Sequence, residues 1–164
     1  MSSASFAVKR HQPFALARVG PNGSFLRRLD ELSMGIGVTV TVNGMTTAVH
    51  PKTVLCVDDE KTGLRVRKIM LEGHGFRVLT ASDGQEGLDL FDQHPVDLVV
   101  LDYYMPGLNG GDVAAELRRR RSDVPIIFLS AYFSLPPQAL ELANAFITKG
   151  DPPEVLIEKI QQLV

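Results

Sequence analysis

From residue 52 onward, short apolar runs alternate with stretches whose apolar residues recur every three or four positions. Thr53–Val57 is an apolar run ending in Asp58-Asp59-Glu60, and Leu64–Leu71 then carries a helical period as far as Gly73 and Gly75. Phe76–Ala81 reads as a second strand, followed by a turn at Ser82-Asp83-Gly84 and a helix to His94. Leu98–Leu101 is a third run, stopped by Asp102 and followed by the turn-forming Met105-Pro106-Gly107. Asn109–Arg121 is helical, Pro125–Ser130 a fourth strand, Pro136–Ala143 a short helix, Ala145–Lys149 a fifth strand and Pro152–Val164 a closing helix. Runs this short and this apolar fit strands buried on both faces. Strands that alternate with helices pair in parallel through right-handed crossovers, with helices on both faces of the sheet.

The closing helix carries its own start signal. Asp151 is placed to accept from the first-turn amides, Pro152 suits the first helical position, and Glu154 completes a capping box. Leu156, Ile160 and Leu163 form its buried stripe.

Residues 1–50 have a different character. Ser24 suits the cap of a short helix with Phe25, Leu29 and Leu32 on one face. Val38–Val42 alternates with Thr before Asn43-Gly44, a hairpin signal with Met45–Val49 as the return strand. A hairpin with no face to cover is marginal in water. The expectation is a mostly unstructured, flexible N-terminal extension over 1–50 and one folded domain over 51–164, with nothing left for a second, output domain.

Composition narrows the class. The chain has 164 residues, 45% hydrophobic and 22% charged, which is ordinary for a soluble globular protein. The net charge of -2 is uneven, because residues 1–50 carry five Lys/Arg against two acids, leaving 51–164 acidic. No apolar run has the eighteen or so residues of a membrane span, and the N-terminus lacks the apolar core of a secretory signal. The single Cys56 excludes an internal disulfide. A cytoplasmic location away from any membrane is expected.

The strand ends hold the chemistry. In a parallel sheet the C-terminal strand ends share one edge, where ligands of such folds sit. That edge gathers Asp58 and Asp59, Asp102, Ser130 and Lys149. Carboxylates so close repel by about 4 kcal/mol per pair at 4 Å and an effective dielectric near 20. A hard divalent cation such as Mg²⁺ offsets that repulsion, because it takes oxygen ligands and keeps waters for a phosphate oxygen to replace. An oxygen nucleophile, a metal, a lysine and a hydroxyl are the parts that stabilise a transferring phosphoryl group. Asp102 lies mid-sheet between the acidic pair and the Ser/Lys pair, the position for a nucleophile. Taken singly, the same residues read as helix caps, a turn serine and a solvated lysine.

With these residues in place, the chain resembles the receiver domain of two-component response regulators. VLCVDDE at Val54–Glu60, DLVVLDYYMPGLNG at Asp97–Gly110, PIIFLSA at Pro125–Ala131 and FITK at Phe146–Lys149 match its blocks in order and spacing. The resemblance implies an α/β, flavodoxin-like, doubly wound five-stranded parallel sheet of order 2-1-3-4-5. It implies phosphoryl transfer to Asp102 from a histidine kinase or a histidine phosphotransfer protein. Asp59, Asp102 and the backbone carbonyl of Tyr104 would ligate Mg²⁺, with Asp58 acting nearby through water, and Ser130 and Lys149 would bind phosphoryl oxygens. Ser130 and Phe146 would form the switch: the added charge draws Ser130 in and Phe146 fills the vacated space, favouring a minor state with an altered interaction surface. Tyr104 and Tyr132 occupy positions that tune access of hydrolytic water, and two bulky aromatics there imply a long-lived phosphorylated state.

Two departures accompany the match. Gly150 replaces the usual proline after Lys149, which predicts a freer loop and a looser placement of Lys149. The segment from Ser130 to Phe146 is short, with Pro136-Pro137 inside it, which predicts a truncated or displaced fourth helix and an altered output surface.

Other signals carry less. His11, His50, His74 and His94 lack ligand spacing, and Cys56 reads as a small buried hydrophobe. The run Arg118–Arg121 closes a helix, where cations complement the dipole, so it reads as a solvated helix end and direct nucleic-acid binding is not expected. The leading function is a single-domain response regulator in a phosphorelay, catalysing only its own phosphorylation and dephosphorylation, with a downstream protein target the sequence does not name. An alternative is a receiver-like binding module that acts independently of phosphorylation. An aspartyl phosphatase of the haloacid-dehalogenase kind needs a second Asp two residues beyond the nucleophile, and position 104 is Tyr.

Overall fold

The computed structural model describes residues 50–164, together with the backbone of four short strands before them: β1 (Ser5–Val8), β2 (Ala15–Arg18), β3 (Val38–Val42) and β4 (Met45–Val49). β1 pairs with β2 and β3 with β4, both antiparallel. The helix expected from Ser24 lies outside the described residues.

Beyond these, β5 (Thr53–Val57), β6 (Arg77–Ala81), β7 (Leu98–Leu101), β8 (Ile126–Ser130) and β9 (Ala145–Thr148) form one sheet in the order β6-β5-β7-β8-β9. Every neighbouring pair is parallel, as the alternation predicts, and the order is the 2-1-3-4-5 winding that the family resemblance implies. The connecting helices are α1 (Lys61–Gly73), α2 (Gly84–Gln93), α3 (Gly110–Arg120), α4 (Pro137–Leu140) and α5 (Pro153–Leu163).

Strand residues alternate between two cores. Leu55, Val57, Val99, Leu101 and Phe128 pack with Leu88, Phe91, Val113 and Leu117 of α2 and α3. Val54, Cys56, Val100, Ile127 and Ile147 pack on the opposite face with Leu64, Leu71, Leu156 and Ile160 of α1 and α5. Each fully buried side chain of this size contributes roughly 1.5–3 kcal/mol. A few of them outweigh the repulsion of the acidic edge, which the sheet can therefore hold in place.

Local signals start the helices. The Asp83 carboxylate accepts from the Glu86 N–H at 2.8 Å while Glu86 accepts from the Ser82 N–H at 2.7 Å, and Asn109 caps α3 through the Asp112 N–H at 3.1 Å. The expected capping box on the last helix is not formed. Asp151 instead accepts from the Thr148 N–H at 2.9 Å, and α5 begins after Pro152 with no side-chain cap. Pro152 and Pro153 carry no N–H, so the helix start has fewer donors to satisfy.

The fourth helix is a single four-residue turn, as its short, proline-containing segment predicts. Arg118 secures that region: its guanidinium donates to the carbonyls of Leu142, Ser122 and Val124 and to the Asn144 side chain at 2.6–3.1 Å. Asn144 in turn accepts from the Ile126 N–H at 3.0 Å. Arg121 lies over the Phe91 ring at 3.7 Å, and Arg120 pairs with Glu116 and Asp92. Arg118, Arg120 and Arg121 thus act as tertiary clamps, while Arg119 is the solvated member of the run and pairs only with Glu116 of its own helix.

Candidate phosphoryl-transfer site at the sheet edge

Two strands deliver the acidic residues, β5 leading into Asp58 and Asp59 and β7 into Asp102. The Asp58 N–H donates to the Ala81 carbonyl at 3.1 Å and the Asp102 N–H to the Val57 carbonyl at 2.9 Å, so each backbone is held by its neighbour strand where the ladder ends. Gly110 closes the site from below. Its N–H donates to the Tyr103 carbonyl at 2.8 Å, and a Cβ there would lie 2.2 Å from the Asp102 carbonyl oxygen. Only glycine lets α3 approach the strand end this closely.

Asp58, Asp59 and Asp102 each offer a carboxylate oxygen, and these oxygens lie within 4.8 Å of one another. Among the described residues this is the one such cluster of metal-ligating side chains. Asp58 is 1% and Asp102 6% exposed, while Asp59 faces solvent. An all-oxygen, tri-anionic donor set with one open member fits a hard divalent ion that retains waters, and suits Mg²⁺ better than a soft metal.

Lys149 joins the set. Its Nζ lies 2.8 Å from Asp58 Oδ2 and 2.9 Å from Asp102 Oδ2. Burial lowers the pKa of this ammonium, but its hydrogen bonds to Asp58 and Asp102 outweigh that and leave it raised. Beside Gly150, Lys149 is also held through the backbone. Thr148 and Asp151 close the loop through the Asp151 carboxylate and the Asp151 N–H to Thr148 carbonyl bond at 3.1 Å, and the Lys149 N–H is held by the Ser130 carbonyl at 2.7 Å.

Ser130 is fully buried, and its Oγ accepts from the Tyr132 N–H at 3.3 Å. The Tyr104 N–H lies 3.4 Å from Asp102 Oδ1. The Tyr104 and Tyr132 rings contact each other with centroids 4.3 Å apart, and Tyr103 bridges Tyr104 and Phe128 edge-on. Phe146 is half-buried against the core beside Phe128. The structure thus brings Asp58, Asp59, Asp102 and Lys149 together, places Ser130 at the end of the adjacent strand, and sets the Tyr104 ring in tilted contact with that of Tyr132.

One functional-site residue escaped the sequence reading. Arg67 of α1 bonds Asp58 Oδ2 through Nη2, sharing that oxygen with Lys149. The signal was present in its spacing. Position 67 lies three residues after Leu64 and four before Leu71, on the helix face that is otherwise buried.

Comparison with known proteins agrees with this geometry. The family model of the response regulator receiver domain matches residues 54–161. A "Probable transcriptional regulator ycf27" of Cyanophora paradoxa is 39% identical over 119 residues, 71% of this chain and 49% of that protein. The chain spans about half the length of the curated relatives it matches. Among solved structures, the response regulator protein TrrA of Thermotoga maritima, in complex with Mg²⁺-BeF, superposes with a TM-score of 0.66 at 35% identity, covering 69% of this chain and 99% of that one. TrrA in complex with histidine kinase ThkA gives a TM-score of 0.64 at 34% identity, covering 69% and 98%. With the family model over most of the chain, the winding order of the sheet and the acidic edge all in agreement, this protein belongs to the response regulator receiver domain family.

Proposed function

We propose that residues 51–164 act as the receiver unit of a response regulator. It takes a phosphoryl group onto Asp102 from a histidine kinase or a histidine phosphotransfer protein. The observation that carries this reading is a nearly buried strand-end carboxylate, Asp102, within 4.8 Å of two further carboxylates and 2.9 Å from a lysine ammonium. An Asp102 carboxylate oxygen attacks phosphorus, the phosphorus–nitrogen bond of the donor imidazole breaks, and the electron pair leaves with that nitrogen. Asp59, Asp102 and the Tyr104 carbonyl would hold Mg²⁺, with Asp58 acting through water, and the ion would supply screening of the charge that gathers on the phosphoryl oxygens.

Lys149 and Ser130 receive the remaining phosphoryl oxygens. As Ser130 turns toward them, Phe146 moves from its half-buried position into the space released, and the surface around α4, β9 and α5 changes. The Tyr104 and Tyr132 rings, in contact with each other, restrict hydrolytic water. The protein turns over no external substrate, acts in the cytoplasm, and signals to a protein target through an altered surface around the single-turn α4. A role independent of phosphorylation is the second reading, favoured by that short α4 and by the two cations already held on Asp58.

The intact mass after incubation with acetyl phosphate separates the two. A Mg²⁺-dependent gain of one phosphoryl group, lost in Asp102→Ala, is expected. No gain from either acetyl phosphate or a phosphorylated kinase domain would leave the phosphorylation-independent reading.

A further inference from the structure

Asp58 has little coordinating capacity to spare. Oδ1 accepts the Glu60 N–H at 2.9 Å, and Oδ2 accepts both the Arg67 guanidinium and the Lys149 ammonium. Arg67 is only 12% exposed, and its Nε is buried with no hydrogen-bond partner among the described residues. A guanidinium is costly to bury unless its donors are matched, so this one is held chiefly by its pair with Asp58.

Space is kept for it. Gly63 lies one helical turn before Arg67, and a Cβ there would sit 3.3 Å from Arg67 Nη1. Beside the pair runs a cleft of about 300 Å³, lined by Gly63, Val66, Arg67, Met70, Lys149 and Leu156 among others. Its apolar walls suit the aliphatic stem of an arginine whose head has left Asp58.

We propose that Arg67 is a resident competitor of the divalent cation: it neutralises Asp58 in the metal-free protein and must withdraw toward the cleft when the ion enters. This rests on the phosphoryl-acceptor reading above and deepens it. A dication seated among Asp58, Asp59 and Asp102 would meet Arg67 and Lys149 together, and two like charges beside it weaken its binding. Mg²⁺ affinity is thereby set low by a residue that touches neither the phosphoryl group nor Asp102. Arg67 acts as a positioning residue, through Asp58.

Calorimetric titration of MgCl₂ into the full chain tests this. Arg67→Met should bind Mg²⁺ at least about tenfold more tightly than the natural protein, the direction expected when one cation is removed beside a bound dication. Arg67→Gln, which keeps a donor for Asp58 without the charge, should do the same, and both should show a larger rise in Tm on adding Mg²⁺. If the Met variant folds only with Mg²⁺, the midpoint of its Mg²⁺-driven refolding reports the same tightening. An unchanged or weaker Mg²⁺ affinity in both variants would overturn the competition and leave the phosphorylation reading standing. Absence of Mg²⁺ binding in natural and variant proteins alike would remove the reading itself.

Discussion

Lys149 and Asp102, 47 residues apart in sequence, meet at 2.9 Å between Nζ and Oδ2. The same ammonium reaches Asp58 at 2.8 Å, so one lysine ties two strand ends of like charge. Breaking a largely buried pair leaves an uncompensated charge, which costs more than the pair contributes when intact. Lys149→Met is expected to lower the unfolding free energy in Mg²⁺-free buffer at neutral pH by about 2 kcal/mol. Urea denaturation checks it, and added Mg²⁺ should recover part of the loss.

The pH dependence of that effect has a definite sign. The folded-state pKa of Lys149 is raised, with burial opposing and the two aspartate bonds prevailing. Its stabilisation is therefore fully present below the ordinary lysine value of 10.5 and is lost as pH rises through the raised value. The stability gap between the natural protein and Lys149→Met should stay flat through neutral pH and close only in strong alkali, as read by urea midpoints along a pH series.

Cys56 lies at the centre of the first core strand with no exposed surface. Burial pushes its thiol up to about 12, with Arg67 pulling in the opposite direction. Unfolding returns the thiol to its ordinary range, so alkali between that range and 12 favours the unfolded chain. A thiol reagent should leave the native protein unlabelled at pH 8 and label it at the rate of global unfolding.

Two glycines should respond oppositely to alanine. At Gly110 a Cβ would press 2.2 Å from the Asp102 carbonyl oxygen and 2.6 Å from Tyr103 Cα, both backbone atoms that cannot yield without moving Asp102. Gly110→Ala should cost about 3 kcal/mol and impair phosphorylation of Asp102. At Gly150 an added Cβ meets nothing closer than 3.9 Å, so Gly150→Ala should be neutral or stabilising by about 0.5 kcal/mol. Thermal denaturation of the two variants separates these outcomes.

Arg118→Ala removes donors from three carbonyls and the Asn144 side chain at once. A loss of about 1–2 kcal/mol is expected, because two part-buried carbonyls lose their donors together while water can replace those of the two exposed acceptors. Arg118→Lys should recover little of it, since one ammonium cannot reproduce a planar fork. On the proposed function, Tyr104→Ala and Tyr132→Ala should speed decay of the phosphoprotein on the order of tenfold by readmitting water. Decay of the natural phosphoprotein within seconds would count against that shielding role.

The sequence by itself determined the parallel sheet and the acidic edge, while the winding order came only through the resemblance of its motif blocks to a known family. Runs such as Val54–Val57 and Leu98–Leu101 are so apolar that only a doubly covered strand accommodates them, and parallel pairing then carries Asp58, Asp102, Ser130 and Lys149 to one side. What only the tertiary structure decided was which long polar side chain meets which partner. Arg67 turning onto Asp58, Arg118 clamping the Leu142 carbonyl and Asp151 bonding Thr148 rather than the helix start all depend on distances between elements remote in sequence or on competition among nearby donors. Strand polarity is a local, additive property that periodicity records, whereas the reach of a flexible charged side chain is settled only when the surrounding surfaces have packed.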